Sequence, residues 1–209
     1  MIDKFCEYLT NKIRKENPEI DDERAEIIKY GLQLMVGEVP KFFIMAAIAW
    51  ALGIFKWTLV CFALVLPYRM YSGGFHLKTH IGCIIGTSLM YTGNAFLSKH
   101  FELTLLYRII FAVFVWTFAI VMIYKYAPAD TEDVPVVSKK ERRKRKNISY
   151  IILTVMIISG VLVSNSIVSN ILLVGALLQT LSITRVAYRL TNNKYGHEVY
   201  LKSNNVVVN

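Results

Sequence analysis

Between Gly31 and Leu190 most of the chain is uncharged and apolar, and that feature constrains the fold more than any other. A run of about 18 or more apolar residues matches the roughly 30 Å hydrocarbon core of a bilayer, at about 1.5 Å of helical rise per residue. Hydrophobic segments follow one another over residues 31–54, 57–71, 80–98, 103–125, 148–165 and 167–189. In the chain as a whole 55% of residues are hydrophobic, above the about 45–50% usual for soluble domains. Lipid offers the backbone no hydrogen-bond partner, so each span must pair its own N–H and C=O groups. The fold class expected is an all-α integral membrane protein with about six transmembrane helices.

The segments are not equal. The second is short and meets Pro67 near its end, so a break or a shallow crossing is expected there. The fifth and sixth are separated only by Ser164-Asn165-Ser166 and read as a helical hairpin. Ahead of the first, residues 2–15 place Ile2, Phe5, Cys6, Leu9 and Ile13 on one helical face, which makes an amphipathic helix. It can lie on the membrane surface or pack on the rest of the protein. Asn17-Pro18 ends it, and Asp21 or Asp22 can cap the next helix.

Charge sets the expected sidedness. Lys and Arg gather in residues 1–30, about 70–80, 126–147 and 190–209, while the turns near Lys56, Lys99 and Asn165 carry little charge. Cytoplasmic loops are the basic ones, which predicts both termini inside. A four-span arrangement with two re-entrant segments keeps the same sides. Residues 1–30 hold no apolar core of a secretion signal. One membrane-embedded domain, 1–209, is expected. It comprises a cytoplasmic amphipathic region (1–30), a transmembrane bundle (31–190) and a cytoplasmic tail (191–209).

The net charge of +9 is concentrated in KKERRKRK, Lys139–Lys146. Such a run suits nucleic acid in a soluble protein. Beside membrane spans it reads as a cytoplasmic anchor drawn to anionic lipids, and no nucleic-acid partner is expected. Cys6, Cys61 and Cys83 form no closely spaced framework, which predicts reduced thiols facing the cytosol rather than disulfides.

One stretch between spans carries more chemistry than a connector needs: RMYSGGFHLKTHIGC, Arg69 to Cys83. Gly73 and Gly74 allow positive φ and the close approach of another backbone. His76 can serve as a general base and Cys83 as a nucleophile. On a continuous helix their seven-residue spacing leaves roughly 10 Å of rise between them, beyond hydrogen-bond reach. A His76–Cys83 pair therefore requires the chain between them to bend. His80, three residues before Cys83, is the nearer partner on a regular helix. His76, His80 and Cys83 could also line up as zinc-type ligands, although no carboxylate in the stretch supports them. A buried, inert Cys83 beside interfacial histidines is the plainer alternative. Arg69, taken alone, reads as a snorkelling anchor. Backbone N–H groups around Gly82 and Cys83, at a helix start, are candidate oxyanion donors.

Arg69-x-x-x-Gly73-Gly74-x-His76 followed by Cys83 resembles the signature of the accessory gene regulator B (AgrB) family. Ala127–Pro135, APADTEDVP, followed by a lysine-rich loop, is similar to a second element of that family. The resemblance spans essentially the whole chain. It implies a membrane cysteine endopeptidase of quorum sensing, with His76 and Cys83 as catalytic pair and no special role for His80. It also implies substrate-binding or site-shaping roles for Arg69, Gly73, Gly74 and the basic run, including Lys139, Lys140, Arg142 and Arg143. The implied partner is an AgrD-like precursor peptide with an acidic C-terminal tail, cut through a Cys83 thioester and cyclised to a thiolactone or lactone. No cofactor and no metal are implied. A homodimer is expected, because Gly86 and Gly93 allow close helix packing. A peptide exporter or a non-catalytic membrane scaffold is the alternative, and the later spans hold almost no ionisable residue to line an export path.

Overall fold

The computed structural model describes residues 2–17, 19–77, 79–132 and 135–206. Among them the protein is all-α, with no strand and only two isolated β-bridges. The helices are α1 (Ile2–Glu16), α2 (Asp22–Ala51), α3 (Phe55–Ser72), α4 (His80–Ser88), α5 (Asn94–His100), α6 (Leu105–Tyr126), α7 (Lys139–Leu162), α8 (Ser166–Ser182), α9 (Arg185–Leu190) and α10 (Gly196–Val206). A π-helical turn, Leu89–Gly93, joins α4 to α5.

The six apolar segments are largely helical, but the third is interrupted by the π-helical turn and the sixth breaks at Ile183–Thr184 between α8 and α9. Among the described residues two helices satisfy both length and hydropathy for a span, α6 and α7. Where α3 falls short, Lys56 and Arg69 sit at its two ends, and α8 is only 17 residues long. In α6 and α7 only 22% and 28% of the apolar window is buried within the protein. A core helix of a soluble protein would be covered. Here Ile110, Val113, Phe114, Ile151, Val155 and Leu162 face outward, more than half exposed. Such a surface suits hydrocarbon.

Several boundaries differ from expectation. Pro67 does not break α3, which continues to Ser72. The boundary at residue 30 lies inside α2, a single 30-residue helix that carries Pro40 in its interior. Asp21, rather than Asp22, caps it by accepting the Arg24 N–H at 2.8 Å. The basic run is not a loop: it forms the first turns of α7. Ser138 accepts the Glu141 N–H at 3.4 Å, the Ser-x-x-Glu start of a capping box. The tail is helical through α10, while Pro18 lies outside the described residues. Of the two placements open to α1, packing holds: Cys6 and Thr10 are buried and the helix lies along α2.

The core sits where α3, α7 and α8 meet, with α6 and α5 against them. Gly175 lets α8 approach α3, since a Cβ there would lie 2.4 Å from Val65 Cγ2. Asn94 of α5 donates to the Ile171 carbonyl at 3.1 Å and to Cys61 Sγ at 3.2 Å. Polar groups thus bind helices where hydrophobic contrast with lipid is small.

The connections segregate to two ends. At one end Lys99 reaches the Gly53 carbonyl at 3.3 Å, Ser166 reaches Glu102 at 3.3 Å and Arg108 reaches the Val163 carbonyl at 3.2 Å. At the other, Gly73 bridges to Ala129 and Thr131 to Tyr195. Three of the four segments grouped on one side by their charge, 70–80, 126–147 and 190–209, therefore meet at one end of the bundle.

Candidate active site

The site grows from the end of α3. Gly73 has φ +76° and Gly74 φ +145°, conformations that a side chain would oppose. Space opposes it too. A Cβ on Gly73 would lie 2.1 Å from the Ala129 oxygen, and one on Gly74 would lie 2.7 Å from Ser182 Oγ. The glycines admit the 127–131 strap: Gly74 N–H donates to Ala129 O at 2.9 Å, and Ala129 N–H to Ser72 O at 2.8 Å. Paired glycines next to another backbone is what the sequence led one to expect.

Gln179, fully buried on α8, ties this turn to the bundle. Its Nε2 donates to Ser72 Oγ at 2.9 Å and to Gly73 O at 2.7 Å. Its Oε1 accepts from Arg69 Nη1 at 3.3 Å. Arg69 Nη2 also donates to the Phe75 carbonyl at 3.0 Å. Arg69 is therefore no snorkelling anchor. Its guanidinium turns inward and braces the chain that leads to His76. One turn earlier, Tyr68 OH and Thr180 Oγ1 lie 2.9 Å apart.

The strap is fixed from the other side by Asp130, whose side chain is 1% exposed. Its Oδ2 accepts from Arg142 Nη1 at 3.0 Å, Val136 N–H at 2.8 Å and His197 N–H at 3.0 Å. Arg142 also donates to the Pro128 carbonyl at 3.3 Å. Within the basic run the faces thus divide. Arg142 and Arg145 turn toward the strap, while Lys139, Lys140 and Arg143 are exposed. Tyr188 OH donates to Asp130 O at 3.1 Å, and Tyr195 OH to Ile183 O at 2.8 Å. Burial, with help from the neighbouring Tyr126, pushes the Tyr195 phenol above its ordinary range and keeps it a donor.

His76 and Cys83 do not share one helix. Residues 74–77 are irregular, and α4 starts at His80 with Thr79 as its cap. Leu77 folds back over α4: its Cδ1 lies 2.9 Å from where a Gly86 Cβ would stand, and its Cβ 3.4 Å from that of Gly82. Gly86 therefore packs within its own chain. Of the two glycines proposed for a dimer face, only Gly93 opens onto unfilled space. The N–H groups expected as oxyanion donors are engaged, because Gly82 N–H donates to Thr79 Oγ1 at 3.0 Å and Cys83 N–H to Thr79 O at 2.9 Å. Helix capping uses them.

His76 and Cys83 line two adjacent cavities rather than one. The exposed His76 borders a cavity of about 320 Å³ with Gly74, Ala129 and Arg145. Cys83, half-buried, borders another of about 380 Å³ with Phe75, Leu77, Tyr91 and Leu178. Arg69 lines both and forms the wall between them. Asn193 Nδ2 donates to the His76 carbonyl at 2.7 Å. Cys6 and Cys61 are buried, whereas Cys83 is half-buried and lines a cavity. The His80 side chain lies outside the described residues, and among those described no three metal-ligating groups converge.

Sequence reasoning missed Gln179, Asn193 and Asp130 as parts of the site. It named Arg142 within the basic run but not as the partner of Asp130, which lies inside the quoted APADTEDVP stretch.

A family model described as Accessory gene regulator B matches residues 6–183. A protein of Listeria innocua, provisionally named AgrB-like, is 27% identical over 189 residues, covering 90% of this chain and 91% of its own. Similarly named proteins of Clostridium acetobutylicum and Clostridium perfringens are 23% and 26% identical, over 93% and 78% of this chain and 91% and 77% of their own. No solved structure matches the chain.

Proposed function

The chain belongs to the accessory gene regulator B family, and from that premise we propose that it is a membrane cysteine endopeptidase that processes an AgrD-like precursor peptide. In this reading the bundle crosses the membrane six times with both termini inside. The end that gathers residues 70–80, 126–147 and 190–209 faces the cytoplasm. The basic character of those segments supports that orientation.

The observation that carries the reading is the back-folded segment from Gly74 to Cys83. It brings a histidine cavity and a thiol cavity to opposite sides of one arginine. On substrate binding the His76 ring crosses that wall and takes the Cys83 thiol proton. The thiolate attacks the carbonyl at the tail junction, and protonated His76 returns its proton to the leaving amine. A Cys83 thioester remains and the tail departs. The precursor's own Cys or Ser then attacks the thioester, closes the thiolactone or lactone ring and releases Cys83, with its proton passing back to the sulfur. Arg69, held by Gln179 and the Phe75 carbonyl, presents fixed positive charge to the carbonyl being attacked. Apolar walls around Cys83, including Leu77, Met90 and Leu178, exclude the water that would waste the thioester.

Co-expression with a precursor tagged at its C-terminus tests this. Wild type should release the tail, and Cys83→Ser and His76→Ala should not. Cys6→Ser and Cys61→Ser should retain release. Tail release by Cys83→Ala would remove the proposal.

A further inference from the structure

A third and larger cavity, of about 760 Å³, lies between α9 and α10. Four cations line it: Arg185, Arg189, Lys194 and Lys202. Its one carboxylate, Glu198, is held by Arg185 at 2.6 Å. Lys194 stands 3.9 Å from Glu132, which is outside the lining. Arg189 and Lys202 are exposed and, among the described residues, in no ion pair. The cavity therefore carries positive charge that the protein does not neutralise. One wall is rigid and aromatic, with Tyr188 and Tyr195 stacked at 4.2 Å and 4°.

Its position is as informative as its charge. Helix α9 is a partition: Ala187 lines the Cys83 cavity, while Arg185 and Arg189 line this one. Asn193, in the same lining, holds the His76 carbonyl at 2.7 Å. The cavity thus adjoins both members of the proposed catalytic pair. The family match stops at residue 183, so α9 and α10 lie wholly beyond it.

We infer that the α9–α10 cavity, rather than the exposed basic run, is the subsite that seats the acidic leaving segment of the substrate. The inference rests on the endopeptidase reading for the word "leaving"; the binding of an acidic peptide stands on the cavity itself. A volume near 760 Å³ lies within the about 300–1,000 Å³ of ligand sites and accommodates a short peptide. Anionic lipid would answer the charge alone. It would have no use for the stacked tyrosine wall or for the link through Asn193 to His76. The exposed part of the basic run, Lys139, Lys140 and Arg143, then serves to attract the substrate rather than to seat it.

The test uses full-length Cys83→Ser protein in phosphatidylcholine nanodiscs, so that neither cleavage nor lipid charge intervenes. The probe is fluorescein-labelled hexaglutamate, with labelled hexalysine as control. Hexaglutamate should bind, and Arg189→Glu/Lys202→Glu should weaken it at least tenfold while gaining affinity for hexalysine. That gain cannot come from misfolding. Lys139→Glu/Lys140→Glu/Arg143→Glu should change equilibrium affinity by less than threefold. Unchanged hexaglutamate binding in the Arg189/Lys202 variant would overturn the inference. So would its loss when a tenth of the lipid is replaced by phosphatidylglycerol, which would assign the cavity to headgroups. Because no step requires Cys83, failure here leaves the cysteine chemistry standing, and failure of Cys83 cleavage leaves this binding result standing.

Discussion

Ser72, Gly73 and Gly74 are fixed by the buried side chain of Gln179 and by two backbone bonds to the strap, whereas Phe75 and His76 run outward to the exposed His76 side chain. Gln179 and the strap at Ala129 hold the first group by backbone and side chain alike. The second is held by Arg69 at the Phe75 carbonyl, by Ser182 O at the Phe75 N–H and by Asn193 at the His76 carbonyl. Polar networks that are fully paired rigidify what they join. Exposed hydrogen bonds, such as that from Asn193 to the His76 carbonyl, open at lower free energy than buried ones. The contrast teaches that the chemistry-bearing histidine sits on the looser side of a fixed hinge point, with Arg69 braced between the two.

The sharpest way to break the comparison is to attack the fixed side. Gly73→Ala puts a Cβ against the Ala129 carbonyl at positive φ. It should cost about 3 kcal/mol or more and abolish tail release, measured by thermal unfolding in detergent beside the cleavage assay. Asp130→Ala strands Arg142 beneath the strap. Breaking a buried pair costs about 3–5 kcal/mol, and the 21% exposure of Arg142 places this case at or below the low end. Asp130→Ala/Arg142→Ala should lose less than the sum of the two single losses, and full additivity would mean the pair is not coupled.

Gln179→Leu removes the partner of Arg69, Ser72 and Gly73 at once. A loss of about 2–3 kcal/mol is expected, with slower cleavage at unchanged substrate affinity. On the loose side the balance should reverse. Asn193→Ala should cost only about 0.5–1.5 kcal/mol yet lower the cleavage rate several-fold, because it frees the His76 carbonyl. If stability falls further than activity, the segment is not the looser one. The smallest effect belongs to Glu141→Gln. Its partly exposed i,i+4 pair with Arg145 at 3.0 Å is worth about 0.3–0.5 kcal/mol.

Much of this arrangement was legible in the sequence where the cause is local. The apolar segments mark helices, the glycine pair marks a close crossing, and a pairing of His76 with Cys83 requires a bend. The early start of α7 went unread, although Ser138-x-x-Glu141 is a local capping signal, because the resemblance implied a loop there. Contacts over long separations leave no such pattern. Gln179 meets Ser72 across 107 residues, and a glutamine in an apolar helix does not announce its partner. Arg142 looked like every other cation in its run, because only the fold decides which face of that helix turns inward. Residues 191–209 read as a tail, since the cavity they build with α9 depends on tyrosines stacking across a turn.

The account depends on an acyl group carried by one sulfur. Purified protein mixed with its precursor, quenched in acid and digested, should yield the fragment containing Cys83 heavier by the mass of the truncated peptide. Hydroxylamine should remove that mass, and His76→Ala should prevent it from appearing. An unmodified Cys83 fragment during active tail release, or the adduct on Cys6 or Cys61 instead, would contradict the account.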